Sequence, residues 1–545
     1  MHEQRKGIAE GPDAAGAHAP RDAFRWAFLI GLSIIAIGMP WGEFLMSIGH
    51  IIVLIAWLWE GVAGGSLRAR SRRAFTDPAV LVFLSFPLLH LVGLLWTEDL
   101  QWGLDLCRIL LPVIVLPPVL ASSAPLSRPE LRILLLLFAW SVLVSTGACF
   151  ALAENLLDYR ALSHFISHIR LALMLCMAVF VFSYYWPSRG AFRLLHFLAI
   201  AWCLVFINLL GSIAGSLIVL GVAAWALWHW SIHRKRGKRM AVRSMLLLVP
   251  VVAIMVIAVP VSDALRVDPI ERAPLPVRSA GGEVYTHDTT DMQLENGRYV
   301  WRNIAWAEVD REWRRISRVP LDRHDDHGNV LYGTLFRYMT SKGLMKDSAG
   351  LAALTSQDLQ RIEQGVPTVY SGLRNRLSER VHEFVFELQR YRNTGDPSGY
   401  SVAMRLEFWK AARGIAAEHW LMGVGTGDTQ RAFDAEYVHM RSLLSAKWRL
   451  RAHNQYLTWL VSFGVPGFLW CLFAWLYPAF RRRASLHPLF TAWAIAFIVS
   501  CFTEDTLETQ AGITFAAFFY CVFVFGAAPS LRNNLDVAVA ERLAA

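Results

Sequence analysis

The chain alternates between long apolar runs and short polar connections over most of its length. Runs of about 17 to 25 mostly apolar residues can cross the hydrocarbon core of a bilayer as helices. The pattern predicts an all-α polytopic membrane protein with about twelve transmembrane helices. These lie at about 24–40, 43–62, 78–96, 104–121, 131–152, 168–186, 192–209, 212–230, 244–261, 453–477, 488–503 and 507–528.

The composition supports this interpretation. Of the 545 residues, 55% are hydrophobic, and the mean hydropathy is +0.37. This apolar fraction is above the usual value for soluble domains. The 22 tryptophans fit two belts of aromatic residues at the membrane–water interfaces.

Basic residues predict the orientation, because short connections rich in Lys and Arg stay in the cytoplasm. They occur in the N-terminal tail, in alternate connections after it and in the C-terminal tail. Both termini are then cytoplasmic, and we expect no cleavable signal peptide. The segments predicted on the external side are 96–102, 154–168, 262–452 and 503–510.

The net charge of +10 comes largely from the cytoplasmic connections, so it reflects topology and not nucleic-acid binding. All seven cysteines fall in predicted spans. The sequence therefore excludes a disulfide framework in the long external segment, and it excludes a thiolate metal site there.

The external segment 262–452 is too long for a simple connection, which predicts a mostly helical domain. Its predicted elements are helices at 294–316, 358–363 and 373–392, a break at 395–399 and a further helix from Ser401. The predicted domains are a tail at 1–23, nine spans at 24–261, this loop domain at 262–452, three spans at 453–528 and a tail at 529–545.

The helix that begins at Ser401 carries Arg405 and Trp409 one turn apart on one face. It is followed by Gly423-Val-Gly-Thr-Gly427. These glycines lack the spacing of a phosphate loop, and no lysine follows them. A helix end and a tight turn is the better interpretation.

His453 stands where the polar loop enters an apolar helix, which we expect to begin near Ala452. One helical stripe then contains His453, Leu457, Leu460, Gly464 and Gly467. The two glycines would admit a neighbouring helix, and a histidine at the membrane surface can titrate near neutral pH.

Three motifs follow one another here: Arg405-x-x-x-Trp409, the turn 423–427, and His453-Asn-x-Tyr-Leu457 running to Gly464-x-x-Gly467. Together with 167–170, 334–346 and 503–512, they resemble the O-antigen ligase and Wzy-type polymerase superfamily of bacterial envelope glycosyltransferases over most of the chain. One position departs from that pattern. Many members carry Ser-Arg-Gly after the seventh span, whereas this chain has Gly211-Ser-Ile-Ala-Gly215, so no arginine role is carried over.

The resemblance implies transfer of a glycan from undecaprenyl diphosphate to an acceptor hydroxyl at the periplasmic face of the bacterial inner membrane. It implies inversion and no metal or other cofactor. For an O-antigen ligase the partners are the undecaprenyl-diphosphate-linked glycan, a lipid A-core acceptor and membrane lipids, with neither nucleic acid nor nucleotide. Wzy-type polymerases and protein O-oligosaccharyltransferases share this donor, so the acceptor stays open.

Such an enzyme has to position the donor, stabilise charge on the leaving diphosphate and help the acceptor lose a proton. Arginine suits the phosphates, because its planar fork stays protonated and can bind two oxygens. We expect Arg170 and Arg405 to bind the donor, with His168 lining the site of Arg170. The structural alternatives are a snorkelling Arg170 and a salt-bridged Arg405.

His453 is the candidate for acceptor activation, as a general base or as a hydrogen-bonding group. A capped interfacial histidine is its structural alternative. Glu504 and Asp505 are candidates to orient His453 or to bind sugar hydroxyls, and otherwise they are solvated. The remaining substrate-binding candidates are Trp409, Asn454 and Tyr456, whereas Arg374, Arg376 and Arg380 are expected to form a solvated face.

Two histidine pairs suggest a metal site. His164 and His168 are four residues apart, and His324-Asp-Asp-His327 gathers four potential ligands. Neither pair has a third ligand at a suitable spacing, and the second lies in a sequence typical of turns. We therefore expect no metal.

Asp105 and Arg108 lie inside the fourth predicted span, where an ion pair facing the bundle is the expected arrangement. A polysaccharide or lipid transporter would need interrupted helices near the midplane and inverted internal symmetry, which the sequence does not show. The polar residues collect at the external ends of spans, which favours an enzyme.

Overall fold

The computed structural model describes residues 19–153, 162–188, 190–232, 234–324, 330–369 and 376–528. The described chain is mostly helical, as predicted. Its helices are α1 Ala19–Gly38, α2 Glu43–Ala63, α3 Leu67–Phe75, α4 Pro78–Val92, α5 Leu100–Ile109, α6 Leu111–Ser122, α7 Arg128–Leu152, α8 His168–Tyr184, α9 Ala191–Leu209, α10 Ile213–Ile232, α11 Arg236–Leu265, α12 Trp306–Ile316, α13 Leu331–Ser341, α14 Ser348–Ala352, α15 Ser356–Glu363, α16 Arg376–Thr394, α17 Ser401–Glu418, α18 Thr429–His439, α19 Gln455–Arg481, α20 Pro488–Thr503 and α21 Gln510–Cys521.

Within the described residues, seven helical segments are long and apolar enough to cross a membrane. They are Glu43–Ala63, Pro78–Trp96, Leu100–Ser122, Arg128–Leu152, Ala191–Leu209, Ile213–Ile232 and Gln455–Arg481. Shorter apolar helices occupy Ala23–Gly38, His168–Tyr184, Pro488–Thr503 and Gln510–Gly526. The chain is therefore a multi-pass membrane protein, and helices lie over all the predicted runs. The count of twelve spans stays a prediction.

Local sequence explains several helix ends. The Asp77 side chain caps α4, and Ser127 forms a capping box with Glu130 at the start of α7. The fourth predicted span is divided into α5 and α6 at Leu110. Pro112 explains this division, because it has no backbone N–H to donate to the preceding turn.

The chain forms two compact units. The first comprises residues 1–222, 416–430 and 453–545, and the second comprises 223–415 and 431–452. Packing thus assigns α11 to the second unit and residues 416–430 to the first. The predicted domain bounds follow membrane topology and stay a prediction. Residues 1–18 and 529–545 of the predicted tails lie outside the described residues.

Aromatic side chains form the centre of the first unit, where α4 packs against α19 and α21 packs against α6. The rings of Phe83 and Tyr520 stack with their centroids 4.5 Å apart. The Tyr520 hydroxyl donates to the carbonyl oxygen of Trp475 at 2.6 Å, so a buried polar group is satisfied inside the apolar core.

The second unit has its own apolar core. Its fully buried members include Trp313 of α12, Phe336 and Tyr338 of α13 and Ile362 of α15. The Trp313 indole nitrogen donates to the carbonyl oxygen of Val319 at 2.7 Å. A core of this kind supports a folded helical domain in this part of the chain.

The prediction of one helix over 294–316 is wrong in its first half. Strands β1 Leu294–Glu295 and β2 Arg298–Tyr299 pair antiparallel, and helix begins only at Trp306. Asn296 and Gly297 form the turn, with φ of 51° and 81°. Asn-Gly favours this left-handed two-residue turn, so the dipeptide was the signal that the helical interpretation overlooked.

The other helices predicted in the external segment are present. Helix α15 covers 358–363, α17 begins at Ser401, and α16 covers the described part of 373–392. The intervening break is confirmed at Gly395 and Gly399, which have φ of 70° and 85°. Arg374 lies outside the described residues.

Asp105 and Arg108 form the expected ion pair, with 3.4 Å between Oδ1 and Nε. Their side chains, however, are 59% and 65% exposed. The prediction that the pair faces the bundle is therefore wrong: it lies on the outer surface of α5, near the helix end. The seven cysteines are all free, in line with their predicted places in apolar helices.

Candidate functional site

The start of α19 places His453 outside the helix. Helix α19 begins at Gln455, and Asn454 is its N-cap, with Oδ1 accepting hydrogen bonds from the backbone nitrogens of Tyr456 and Leu457 at 3.1 and 3.2 Å. His453 precedes the cap in a left-handed conformation, with φ of 46°. The predicted helical stripe headed by His453 is therefore wrong, because the Asn454 side chain caps the N-terminus of α19 and leaves His453 outside the helix.

Asp505 connects this cap to the segment that follows α20. Its Oδ1 accepts a hydrogen bond from the backbone nitrogen of Asn454 at 3.2 Å and another from Thr458 Oγ1 at 2.6 Å. The Asn454 amide in turn donates to the carbonyl oxygen of Phe502 at 3.1 Å. All three polar side chains are buried, so these bonds fix the backbone that follows His453 against the end of α20.

Glu504 lies beside the histidine. The distance between His453 Nδ1 and Glu504 Oε2 is 3.3 Å. The Glu504 side chain is only 9% exposed, whereas that of His453 is 34% exposed. A buried carboxylate thus faces one ring nitrogen of an accessible imidazole, an arrangement that orients a general base.

Arg170 reaches the same segment from the first turn of α8. Its Nε donates to Thr509 Oγ1 at 3.2 Å, and one Nη donates to the carbonyl oxygen of Asp505 at 3.4 Å. The residue is 6% exposed, and its other Nη is buried with no hydrogen-bond partner among the described residues. A simple snorkelling role does not fit, because a snorkelling guanidinium extends into water.

The geometry also places two of the predicted substrate-binding residues. His168 is the first residue of α8, two positions before Arg170. The Tyr456 hydroxyl donates to the carbonyl oxygen of Ile498 at 3.3 Å, and its ring lies against Phe502 with the centroids 4.8 Å apart. Tyr456 therefore packs α19 against α20.

The structure separates the first histidine pair. His164 lies in a bend before α8, so it does not share a helical face with His168. Of the second cluster, His324 is described, and 325–327 lie outside the described residues.

The glycine turn 423–427 is packed against a break in α19. At Gly464 the backbone has φ of 64°, and the helical hydrogen-bond pattern is interrupted. Val424 N donates to the carbonyl oxygen of Val461, and Gly425 N donates to that of Ser462, both at 2.9 Å. Pro466 leaves the Ser462 oxygen without its usual helical donor, so the turn supplies one instead.

Close approach explains the glycines on both sides of this contact. A Cβ atom on Gly464 would lie 2.5 Å from the carbonyl oxygen of Trp420, and one on Gly423 would lie 2.3 Å from Phe463 N. The expectation that Gly464 admits a neighbouring helix is therefore wrong, since the turn occupies that space. The interpretation of 423–427 as a tight turn is confirmed by the positive φ at Gly423 and Gly425.

Arg405 and Trp409 belong to α17 in the second unit. The Trp409 indole nitrogen donates to the carbonyl oxygen of Ala452 at 3.1 Å, and Ala452 immediately precedes His453 in the chain. Trp409 thus fixes the backbone at the end of this unit. Its role as a sugar-binding ring and the role of Arg405 stay predictions, as does the solvated face at Arg376 and Arg380.

Thr458, Thr509 and Gln455 contribute hydrogen bonds to the site, and none of them was among the predicted site residues. Gln455 Oε1 accepts a hydrogen bond from Leu507 N at 2.8 Å, and Thr509 both binds Arg170 and caps α21. Thr458 lies one turn after the Asn454 cap, so both residues face Asp505. The polar segment 503–510 between two apolar helices was the signal for these partners.

Comparison with known proteins gives one family match. Residues 351–472 match the family model described as O-antigen ligase, a segment that includes Arg405, the glycine turn and His453. This confirms the resemblance to the O-antigen ligase-like superfamily, whose members are glycosyltransferase-like ligases and polymerases. No curated protein matches the chain.

Proposed function

We propose that this membrane protein is an O-antigen ligase of the bacterial inner membrane. In this proposal it transfers a glycan from undecaprenyl diphosphate to a hydroxyl of the lipid A-core oligosaccharide at the periplasmic face, with inversion and without a metal. The support is the family match together with one arrangement, in which Arg170, Asp505, Glu504 and His453 converge at the ends of α8, α20 and α19.

The proposed reaction is a single displacement. The acceptor oxygen attacks the anomeric carbon of the donor, the bond from that carbon to the phosphate oxygen breaks, and undecaprenyl diphosphate leaves with the bonding electrons. The hydroxyl proton passes to His453. With Nδ1–H donated to Glu504, Nε2 is the ring nitrogen that accepts the proton, and the Glu504 carboxylate stabilises the imidazolium that forms.

Arg170 is proposed to bind the donor diphosphate. Its buried Nη without a partner among the described residues offers hydrogen-bond donors to phosphate oxygens, while Nε and the other Nη are held by Thr509 and Asp505. Holding two sides of the guanidinium in place reduces the loss of conformational freedom on binding. Arg405 is proposed as a second phosphate ligand, and His168, Trp409, Asn454 and Tyr456 as contacts to the glycans.

The test is an O-antigen immunoblot of lipopolysaccharide from cells in which the gene is deleted and then restored. Deletion should leave lipid A-core without O-antigen, with polymer accumulating on the undecaprenyl carrier. Wild type should restore the ladder. His453→Ala, Arg170→Ala and Arg405→Ala should insert into the membrane at normal levels without restoring it.

Other band patterns would overturn specific parts of the proposal. A ladder that persists after deletion would exclude the ligase, and a single repeat unit in place of the ladder would point to a polymerase. An unchanged transfer rate in purified Arg405→Ala protein would remove Arg405 from the site. The exposed Arg108→Ala variant is the matched control, since it removes one arginine from the outer surface of α5.

A further inference from the structure

A strongly basic turn joins α10 to α11. Between residues 234 and 243, six of ten residues are Lys or Arg, and none is acidic. The distribution of basic residues along the chain predicts that this turn is cytoplasmic, and topology alone would explain its basic character there. The structure adds features that topology does not require.

Two of its arginines lie over tryptophan rings. Arg243 on the first turns of α11 places its guanidinium carbon 4.4 Å from the ring centroid of Trp228 on α10. Arg234 in the turn lies 4.5 Å from that of Trp230. Stacking on an indole holds the guanidinium plane in a fixed orientation and leaves its edge available for hydrogen bonds.

These arginines are also incompletely satisfied. The Nε atoms of Arg234, Arg239 and Arg243 are buried and have no hydrogen-bond partner among the described residues. The contact found for Arg239 is donation from one Nη to the carbonyl oxygen of Arg234 at 3.2 Å. Buried cationic donors without acceptors are costly, so an anion that supplies acceptor oxygens would be bound favourably.

An apolar surface continues from the basic turn along α11. Met240, Met245, Leu247 and Leu248 are each more than half exposed. A ligand that matches both the basic turn and this apolar surface has a charged phosphate and hydrocarbon chains. Free inorganic phosphate would match only the basic turn.

We propose that the turn between α10 and α11 is a binding site for the phosphodiester headgroup of an anionic phospholipid. The indole-stacked guanidiniums of Arg234 and Arg243 bind the headgroup oxygens together with Arg239, and the acyl chains lie along the exposed apolar residues of α11. The site is independent of the proposed transfer reaction, since it shares no residue with it.

The test compares lipid binding by the full chain purified in detergent, measured by native mass spectrometry and by the thermal shift on adding lipid. Wild type should retain phosphatidylglycerol in preference to phosphatidylcholine and melt at a higher temperature when it is added. The double variant Arg234→Ala/Arg243→Ala should lose this preference by about tenfold or more. The matched control is Lys235→Ala/Lys238→Ala, which removes two exposed charges from the same basic segment 234–243 and should keep most of the preference for phosphatidylglycerol.

Equal losses in the arginine and lysine variants would overturn the proposal in favour of general charge attraction. An equal thermal shift with inorganic phosphate alone would show that a free oxyanion, not a lipid, is the ligand. If the double alanine variant does not elute from size-exclusion chromatography as a single species, the Arg234→Lys/Arg243→Lys variant tests the site instead. Lysine keeps both charges but lacks the planar fork, so the preference should fall in that variant too, and an unchanged preference would contradict the site.

Discussion

Thr458 Oγ1 donates a hydrogen bond to Asp505 Oδ1 at 2.6 Å, and both side chains are buried. The bond joins the first turn of α19, which follows His453, to the segment after α20. Asp505 also accepts from Asn454 N. One carboxylate oxygen therefore binds both the N-cap residue of α19 and a side chain one turn into that helix.

Asp505→Ala should destabilise the protein more than Thr458→Val. The first substitution leaves two buried donors without an acceptor, at about 1–3 kcal/mol for each, whereas the second removes one donor and leaves the carboxylate bound to Asn454 N. Thermal unfolding of the full chain in detergent gives the comparison. Equal melting temperatures for the two variants would show that the Asn454 contact contributes nothing.

Glu504→Gln should reduce transfer without lowering stability by much. Glutamine can still accept a hydrogen bond from His453 Nδ1, but it carries no charge to stabilise an imidazolium. We expect the turnover rate to fall on the order of tenfold or more, with a smaller change in the KM of the donor. The measurement is transfer by purified protein with a lipid-linked glycan.

Glu418→Gln is the control for that variant, because Glu418 is an exposed carboxylate on α17. It should transfer at the wild-type rate. A Glu504→Gln enzyme that is equally active would exclude an electrostatic role for Glu504 and leave it as a structural acid.

Gly464→Ala should lower stability, and Gly423→Ala should do the same. Both residues have positive φ, and an added Cβ would lie within 2.5 Å of backbone atoms across the contact. The cost should exceed about 1 kcal/mol in each case. Melting temperatures of the variants in detergent test this.

Gly147→Ala in α7 is the matched control. A Cβ at Gly147 meets no atom within 4 Å, and its backbone is helical. Alanine there should leave the melting temperature unchanged or raise it, because alanine favours helix. A Gly464→Ala protein as stable as Gly147→Ala would contradict the close contact between the turn and α19.

Apolar run length predicted the apolar helices. Polar residues near helix ends, together with the family resemblance, predicted Arg170, His453, Glu504 and Asp505 as candidates, and the role of these four stays a prediction. These four come together in the first unit because each lies at the end of a helix, where backbone groups need partners.

The start of α19 and its break at Gly464 could not be predicted in the same way, because both depend on contacts with distant parts of the chain. Whether Ala452 or Gln455 begins α19 depends on which side chain caps it, and the capping Asn454 is also held by Asp505 from the distant segment after α20. The break at Gly464 likewise needs the turn 423–427, which supplies the donor that Pro466 lacks. Neither contact is visible in local periodicity.

Lys346 should make stability depend on pH. Its ammonium is buried, and burial lowers the pKa of the amine to about 7, with Arg298 nearby also lowering it and Glu271 opposing. The Nζ hydrogen-bonds the carbonyl oxygens of Tyr299 and Arg302 at 3.3 and 3.1 Å, which the two protons of a neutral amine can satisfy.

The sign follows from proton binding in the two states. Between pH 7 and the usual lysine pKa of about 10.4, the unfolded chain holds a proton on Lys346 that the folded chain has released, so stability rises with pH across that window. In thermal unfolding of the full chain, wild type should gain stability from pH 7.5 to 9.5 relative to Lys346→Met. The exposed Lys238→Met variant should follow wild type, and a parallel pH profile for Lys346→Met would show that the buried amine does not titrate in this range.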